Sequence, residues 1–247
     1  MSSFEAEGKI VAPALIRGLT FDGEKGLFVM SLPGYSGKAD LVLPSVLKDD
    51  VEGTVQAWKA VYTHAVASGI YPKVVEVKDT GFYSLGASYD EAADASQPVS
   101  VKVGQKPSTK RGDVVLGKIG LVTGGAQGFG EGMVRGLVEL GAFVYIADLN
   151  LEGARKLADS LNAVSGRTVA AALAVNVSDE DSVQAMMHSV LAQTGGLDVF
   201  VSNAGVLRAG SVKTMLFKDF KFVTDIDYAG FFLCSKHTSV VQAWQNL

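Results

Sequence analysis

The chain has 247 residues, 48% of them hydrophobic and 19% charged, with a formal net charge of −4 and a sequence pI near 5.4. That is apolar material enough for one large domain or two small ones, and it excludes a disordered chain. The acid excess argues against a nucleic-acid or anionic-membrane partner, and a single cysteine, Cys234, excludes a disulfide framework and points to a reducing compartment. The opening MSSFEAEGKIV lacks the basic and apolar regions of a signal peptide. No apolar run approaches the roughly 20 residues that cross a bilayer, so a cytoplasmic location is expected.

In chain order, the pattern predicts a strand over 26–31 and a helix from about 50 to 68. Val51, Val55, Trp58 and Tyr62 recur at three- and four-residue spacing and form the helix's apolar stripe. Asp49 and Asp50 stand at its start, where acids suit the dipole. A strand over 73–78 follows, then the turn Thr80-Gly81, a short apolar run, and a helix opening at Ser88. Glu91, three residues on, makes a capping box with Ser88. These elements form a small α/β segment over 1–95. The stretch 96–113, SQPVSVKVGQKPSTKRGD, mixes turn formers with Lys102, Lys106, Lys110 and Arg111 and reads as a solvated interdomain linker.

A different rhythm starts at about 114. Residues 118–122 read as a buried parallel strand, broken into a turn by Gly124, Gly128 and Gly130. The helix that follows has Val134, Leu137 and Leu140 as its buried face, and a second strand over 143–147 ends in Asp148. A helix over 151–161 and a strand over 168–175 come next. Ser178 is expected to cap a helix running to about 193, with Asp179, Glu180 and Asp181 in its first turn. Met186 and Met187 read as core filler, and 197–201 as a fourth apolar strand. Cys234, in an apolar run, reads as a small buried hydrophobe, with only His237 nearby to activate it. The fold class is therefore α/β: a Rossmann-like doubly wound parallel sheet over 114–247, preceded by a smaller α/β segment. Glycine at the first turn lets the backbone approach a pyrophosphate, the helix aims its free N–H groups at it, and Asp148 stands where a carboxylate accepts from ribose hydroxyls.

The spacing Thr123-Gly124-x-x-x-Gly128-x-Gly130, followed later by Asn203-Ala204-Gly205, resembles the short-chain dehydrogenase/reductase family from about 116 onward. The resemblance implies an oxidoreductase. Gly124, Gly128 and Gly130 would hold the pyrophosphate, Asp148 the adenosine ribose and Asn176 the adenine, with Thr123, Gln127, Phe129 and Val177 also among the cofactor-binding residues. Asn203, Ala204 and Gly205 would wall the cofactor's centre. The expected cofactor is NAD in preference to NADP. The expected substrate is a small alcohol or ketone, and the family's fourth helix would allow a homo-oligomer. Two positions depart from the family pattern: Asn176 stands where Asp is frequent, and Asp227 where Asn is expected. An ionised Asp only accepts, whereas Asn also donates. The family's chemistry belongs to a Ser, a Tyr and a Lys four residues after the Tyr. None of the seven tyrosines here is followed by a lysine at that spacing, so no catalytic residue is assigned. The expectation is a domain truncated before its Tyr–Lys region, with a sheet incomplete at the C-terminus and no activity alone.

A second, shorter pattern, Asp79-Thr80-Gly81 with Gly86-x-Ser88 and Glu91-Ala92, is similar to the class II aldolase/adducin family. Fusions of such a domain to a short-chain dehydrogenase imply a sugar, polyol or sugar phosphate as substrate. Thr80 stands where that family's zinc histidine belongs, and His64, His188 and His237 are isolated in sequence. Zinc needs three or four converging ligands, so no metal is expected and a lyase is disfavoured. A non-catalytic dinucleotide-binding or interaction protein is the other alternative.

Overall fold

The computed structural model describes residues 8–23, 25–47, 49–99 and 111–246. Lys102, Lys106 and Lys110 of the basic stretch lie outside the described residues. The chain divides into two units, Met1–Gly117 with His188–Leu197 and Val241–Leu247, and Lys118–Met187 with Asp198–Val240.

In the first unit, α1 (Gly8–Leu19) buries Val11, Ala12, Ala14, Leu15 and Ile16. It went unpredicted because Pro13 interrupts the pattern from inside the helix. The strands are β1 (Phe28–Ser31), β2 (Leu41–Leu43), β3 (Val74–Val77) and β4 (Gly81–Gly86), in the order β1-β4-β3-β2. β4 pairs antiparallel with β1 and β3, while β2 runs parallel to β3. The short apolar run after Thr80-Gly81 is thus an inner strand, with Ser84 and Leu85 fully buried. α2 (Val51–Ala67) starts where expected, Asp50 accepting the Gly53 N–H at 2.7 Å. Val55 and Trp58 carry its burial, and the Trp58 indole N–H finds the Pro44 carbonyl at 2.9 Å. Val51 and Tyr62 are only half-buried. α3 (Tyr89–Ala93) has the Ser88 cap, which accepts the Glu91 N–H at 3.2 Å. The return bond goes to the Ala87 N–H, one residue before the cap, at 3.1 Å.

The second unit alternates β5 (Ile119–Thr123), α4 (Gly128–Glu139), β6 (Phe143–Asp148), α5 (Leu151–Ser165), β7 (Ala170–Ala174), α6 (Glu180–Thr194) and β8 (Val199–Val201). α7 (Phe217–Thr224) then passes through a π-helical turn, Asp225–Ala229, into α8 (Gly230–Gln245). The ends of α6 and α8 count with the first unit. The sheet is parallel throughout, in the order β7-β6-β5-β8. β5 and β6 are unbroken apolar runs because both faces of a parallel sheet are covered; nearly every residue in them is buried.

Two sequence expectations need correction. Leu140 is not on the buried face of α4: it is 46% exposed and follows the last helical residue. Steps of three fall about 60° short of a turn, so Val134 is buried, Leu137 half-buried and Leu140 rotated away. Ser178 does not cap α6 either. Asn176 Oδ1 accepts both the Ser178 N–H (3.2 Å) and its hydroxyl (2.8 Å), and Asp179 takes over the capping role, accepting the Asp181 N–H at 3.2 Å. Among the described residues no helix is long and apolar enough to cross a membrane.

Candidate functional site

β5 feeds α4 toward β6 on one side and pairs with β8 on the other, which makes the crevice beyond their carboxyl ends the switch point of the sheet. Thr123, fully buried at the end of β5, organises it: its Oγ1 accepts the N–H groups of Asn203 (3.1 Å) and Ala204 (3.2 Å). The Asn203 amide reaches back, donating to the carbonyls of Thr123 and Gly124 at 3.0 Å each. Gly124 has φ +62°, and a Cβ there would lie 2.8 Å from Ala204 Cα. A Cβ on buried Gly130 would run into the Gly124 carbonyl and come within 2.6 Å of Asn203 Nδ2. The glycines are therefore demanded by close backbone approach.

Above this packed floor the helix start is open. Gly128 has φ +60° with nothing within 4 Å of where a Cβ would be. Gln127 stands at the N-cap of α4 and supplies no side-chain capping bond. The first amides of α4 therefore present the positive end of the helix at an open surface, which favours an anion. Phe129, 88% exposed, flanks that end.

Asp148 closes β6, and each of its oxygens holds a backbone amide. Oδ2 accepts from Ala126 in the glycine-rich turn at 3.0 Å, and Oδ1 from Asn150 at 2.9 Å. Asn150 in turn caps α5 through the Gly153 N–H at 3.0 Å. Ala126 and Asn150 were missed from sequence. Asn150 carried a signal, its cap spacing to Gly153; Ala126 carried none, because any residue supplies an N–H. Asn176 is exposed just beyond β7, and its side-chain oxygen is already engaged by Ser178. Val177 is buried against α8, where a Cβ on Gly230 would lie 2.8 Å from Val177 Cγ2.

Asp227 lies in the π-helical turn, and its Oδ1 accepts the Val206 N–H at 2.8 Å, bracing the loop that carries Gly205. Further along, Cys234 is buried, and burial pushes its thiol up to about 11, which keeps it protonated and inert. His237, three residues on, is engaged with an acid. Its Nε2 lies 2.9 Å from Glu180 Oε1, and Lys236 Nζ is 2.7 Å from the same oxygen. Bonds from Lys236 and then His237 hold the Glu180 carboxyl below its ordinary value. Among the described residues no three His, Cys, Asp or Glu side chains gather as a metal site.

The family model for short chain dehydrogenase matches residues 118–243. YuxG of Bacillus subtilis (strain 168), an uncharacterized oxidoreductase, is 32% identical over 129 residues, which is 52% of this chain and 19% of that protein. Meso-2,3-butanediol dehydrogenase of Serratia marcescens is 38% identical over 119 residues, 48% of this chain and 46% of the relative. Among solved structures, the crystal structure of gox2181 superimposes with a TM-score of 0.50 at 31% identity, covering 52% of this chain and 49% of that one. The chain thus spans half or less of the relatives it matches.

Proposed function

The chain belongs to the short-chain dehydrogenase family, and from that premise we propose that it binds NAD at the switch point and contributes this site to a dehydrogenase. Its substrate class is a secondary alcohol, or the matching ketone, of a sugar, polyol or sugar phosphate. One observation carries the reading: the uncapped start of α4 lies over a glycine turn locked by Asn203, with Asp148 beside it at the end of β6. Gly124, Gly128 and Gly130 admit the pyrophosphate. Asp148 accepts from the ribose hydroxyls, and its charge opposes a 2′-phosphate. Asn203, Ala204 and Gly205 keep the wall on the far side of the crevice. Bound there, the nicotinamide would accept or supply the hydride. The diol named for the Serratia relative supports a polyhydroxylated substrate. A cytoplasmic home and a small-molecule partner belong to the same reading.

Removing or supplying the alcohol proton typically contributes about 10² to 10⁴-fold through a tuned acid or base. No tyrosine of this chain has a lysine four positions on, so the chain by itself should bind NAD and turn over nothing. Calorimetric titration with NAD and NADP tests the binding half; NADP binding as tightly as NAD would remove Asp148 from its role. Robust oxidation of any alcohol by the purified chain would overturn the catalytic half. The same missing pair favours a second reading, a dinucleotide-binding protein without chemistry. A coding frame that continues past Leu247 into Tyr-x-x-x-Lys would decide for the dehydrogenase.

A further inference from the structure

We propose that Asp148 is also the latch of the phosphate-binding turn, a positioning residue whose carboxylate fixes Ala126 and Asn150 before any ligand arrives. The two amides belong to different turns, one leading into α4 and one into α5. The carboxylate bridges them, Oδ2 to Ala126 and Oδ1 to Asn150. Other bonds converge on the same strand end. The Gly125 N–H reaches the Ala147 carbonyl at 3.4 Å, and the Val175 N–H reaches the Asp148 carbonyl at 3.1 Å. The two turns are packed as well as bonded, since a Cβ on Gly153 would lie 3.5 Å from Ala126 Cβ. An ionised carboxylate has about four lone-pair sites, so two remain for ribose hydroxyls after both amides are held. Holding the turn and accepting from the ribose are therefore compatible, and a charged acceptor makes each amide bond roughly twice as strong as a neutral one. Ala126 sits between Gly125 and the N-cap Gln127, so anchoring its amide sets the path by which the chain enters α4.

The affinity part of the test rests on the cofactor reading above; the exchange part does not. Amide hydrogen exchange at Ala126 and Asn150 is measured by NMR on the ligand-free chain for wild type, Asp148→Ala and Asp148→Asn. Binding of 2′,3′-dideoxy-ADP, which carries two phosphates and adenine but no ribose hydroxyl, is measured on the same proteins. The latch predicts that both amides exchange about tenfold faster or more in Asp148→Ala, and that dideoxy-ADP binding falls by about tenfold. It predicts that Asp148→Asn, with one acceptor left, protects one amide and exposes the other; this variant serves alone if Asp148→Ala does not fold. Exchange at both amides unchanged from wild type would overturn the latch. So would unchanged dideoxy-ADP affinity, the result expected of an Asp that meets only the ribose. Faster exchange in a chain whose wild type binds neither ADP nor its dideoxy form supports the latch and refutes the cofactor reading.

Discussion

Both amide hydrogens of Asn203 go to main-chain carbonyls, those of Thr123 and Gly124, in a packed floor where a lost donor leaves acceptors stranded. Asn203→Ala should cost about 1–3 kcal/mol for that reason. Asn203→Asp keeps the shape but sets carboxylate oxygens against two carbonyl oxygens, so it should be the more damaging change despite being isosteric. Denaturant midpoints and NAD affinity for both variants check the order; an Asp variant as stable as wild type would mean the amide does not donate here. A parallel contrast holds for glycine. Gly130→Ala forces an atom into the Gly124 carbonyl, whereas Gly128→Ala meets nothing and should cost only the roughly 1–2 kcal/mol of a left-handed backbone. Thermal melts should rank Gly130→Ala well below Gly128→Ala. These glycines were legible in sequence because a close backbone approach or a left-handed turn calls for glycine itself, so the residue type alone carries the signal. The bonds from Ala126 and Asn150 to Asp148 were not legible, because they depend on where one side chain swings across a turn.

The start of α6 and the body of α8 meet through Glu180, Lys236 and His237. The Glu180 carboxyl is held below its ordinary value of 4.5, first by the Lys236 bond and then by His237. A lowered folded value means the pair stabilises the fold above the ordinary value, and that this contribution is lost as pH falls through the lower one. The melting temperature of Glu180→Gln should therefore lie below wild type at about pH 6, and the gap should narrow as the pH falls below the ordinary carboxylate value. A gap that persists in acid would show that the pair does not respond to carboxylate protonation. Elements with a cap and a full period, such as α2 and α5, could be read before the structure. α1 could not, since Pro13 hides a buried face that only tertiary packing rewards. The start of α6 was misplaced by one residue for a related reason: Ser178 and Asp179 are both good caps, and Asn176 claims the serine.

At the scale of the whole molecule the exposed edge and the exposed aromatics matter together. Among the described residues β8 pairs only with β5, so its other side presents unpaired N–H and C=O groups. Val199, Phe200 and Val201 along it are half-buried. Beyond it, Phe217, Phe220, Phe231 and Phe232 are all more than half exposed, Leu207 is 83% exposed, and Phe217 and Phe220 stack at 6.3 Å. Apolar residues scattered singly over a surface are normal, but a stacked exposed pair, Phe217 and Phe220, and a consecutive exposed pair, Phe231 and Phe232, on a chain with an open strand edge favour association. The purified chain should therefore self-associate, eluting ahead of its 25.9 kDa mass in size-exclusion chromatography. The effect should grow with concentration and with salt, because burial of apolar surface, unlike ion pairing, is not screened. Phe217→Lys with Phe232→Lys should shift the population toward monomer without disturbing the Thr123–Asn203 floor, whose bonds involve neither residue. A wild-type chain that elutes as a monomer at every concentration and melts in one sharp transition would mean that the β8 edge is protected by its own short length and twist.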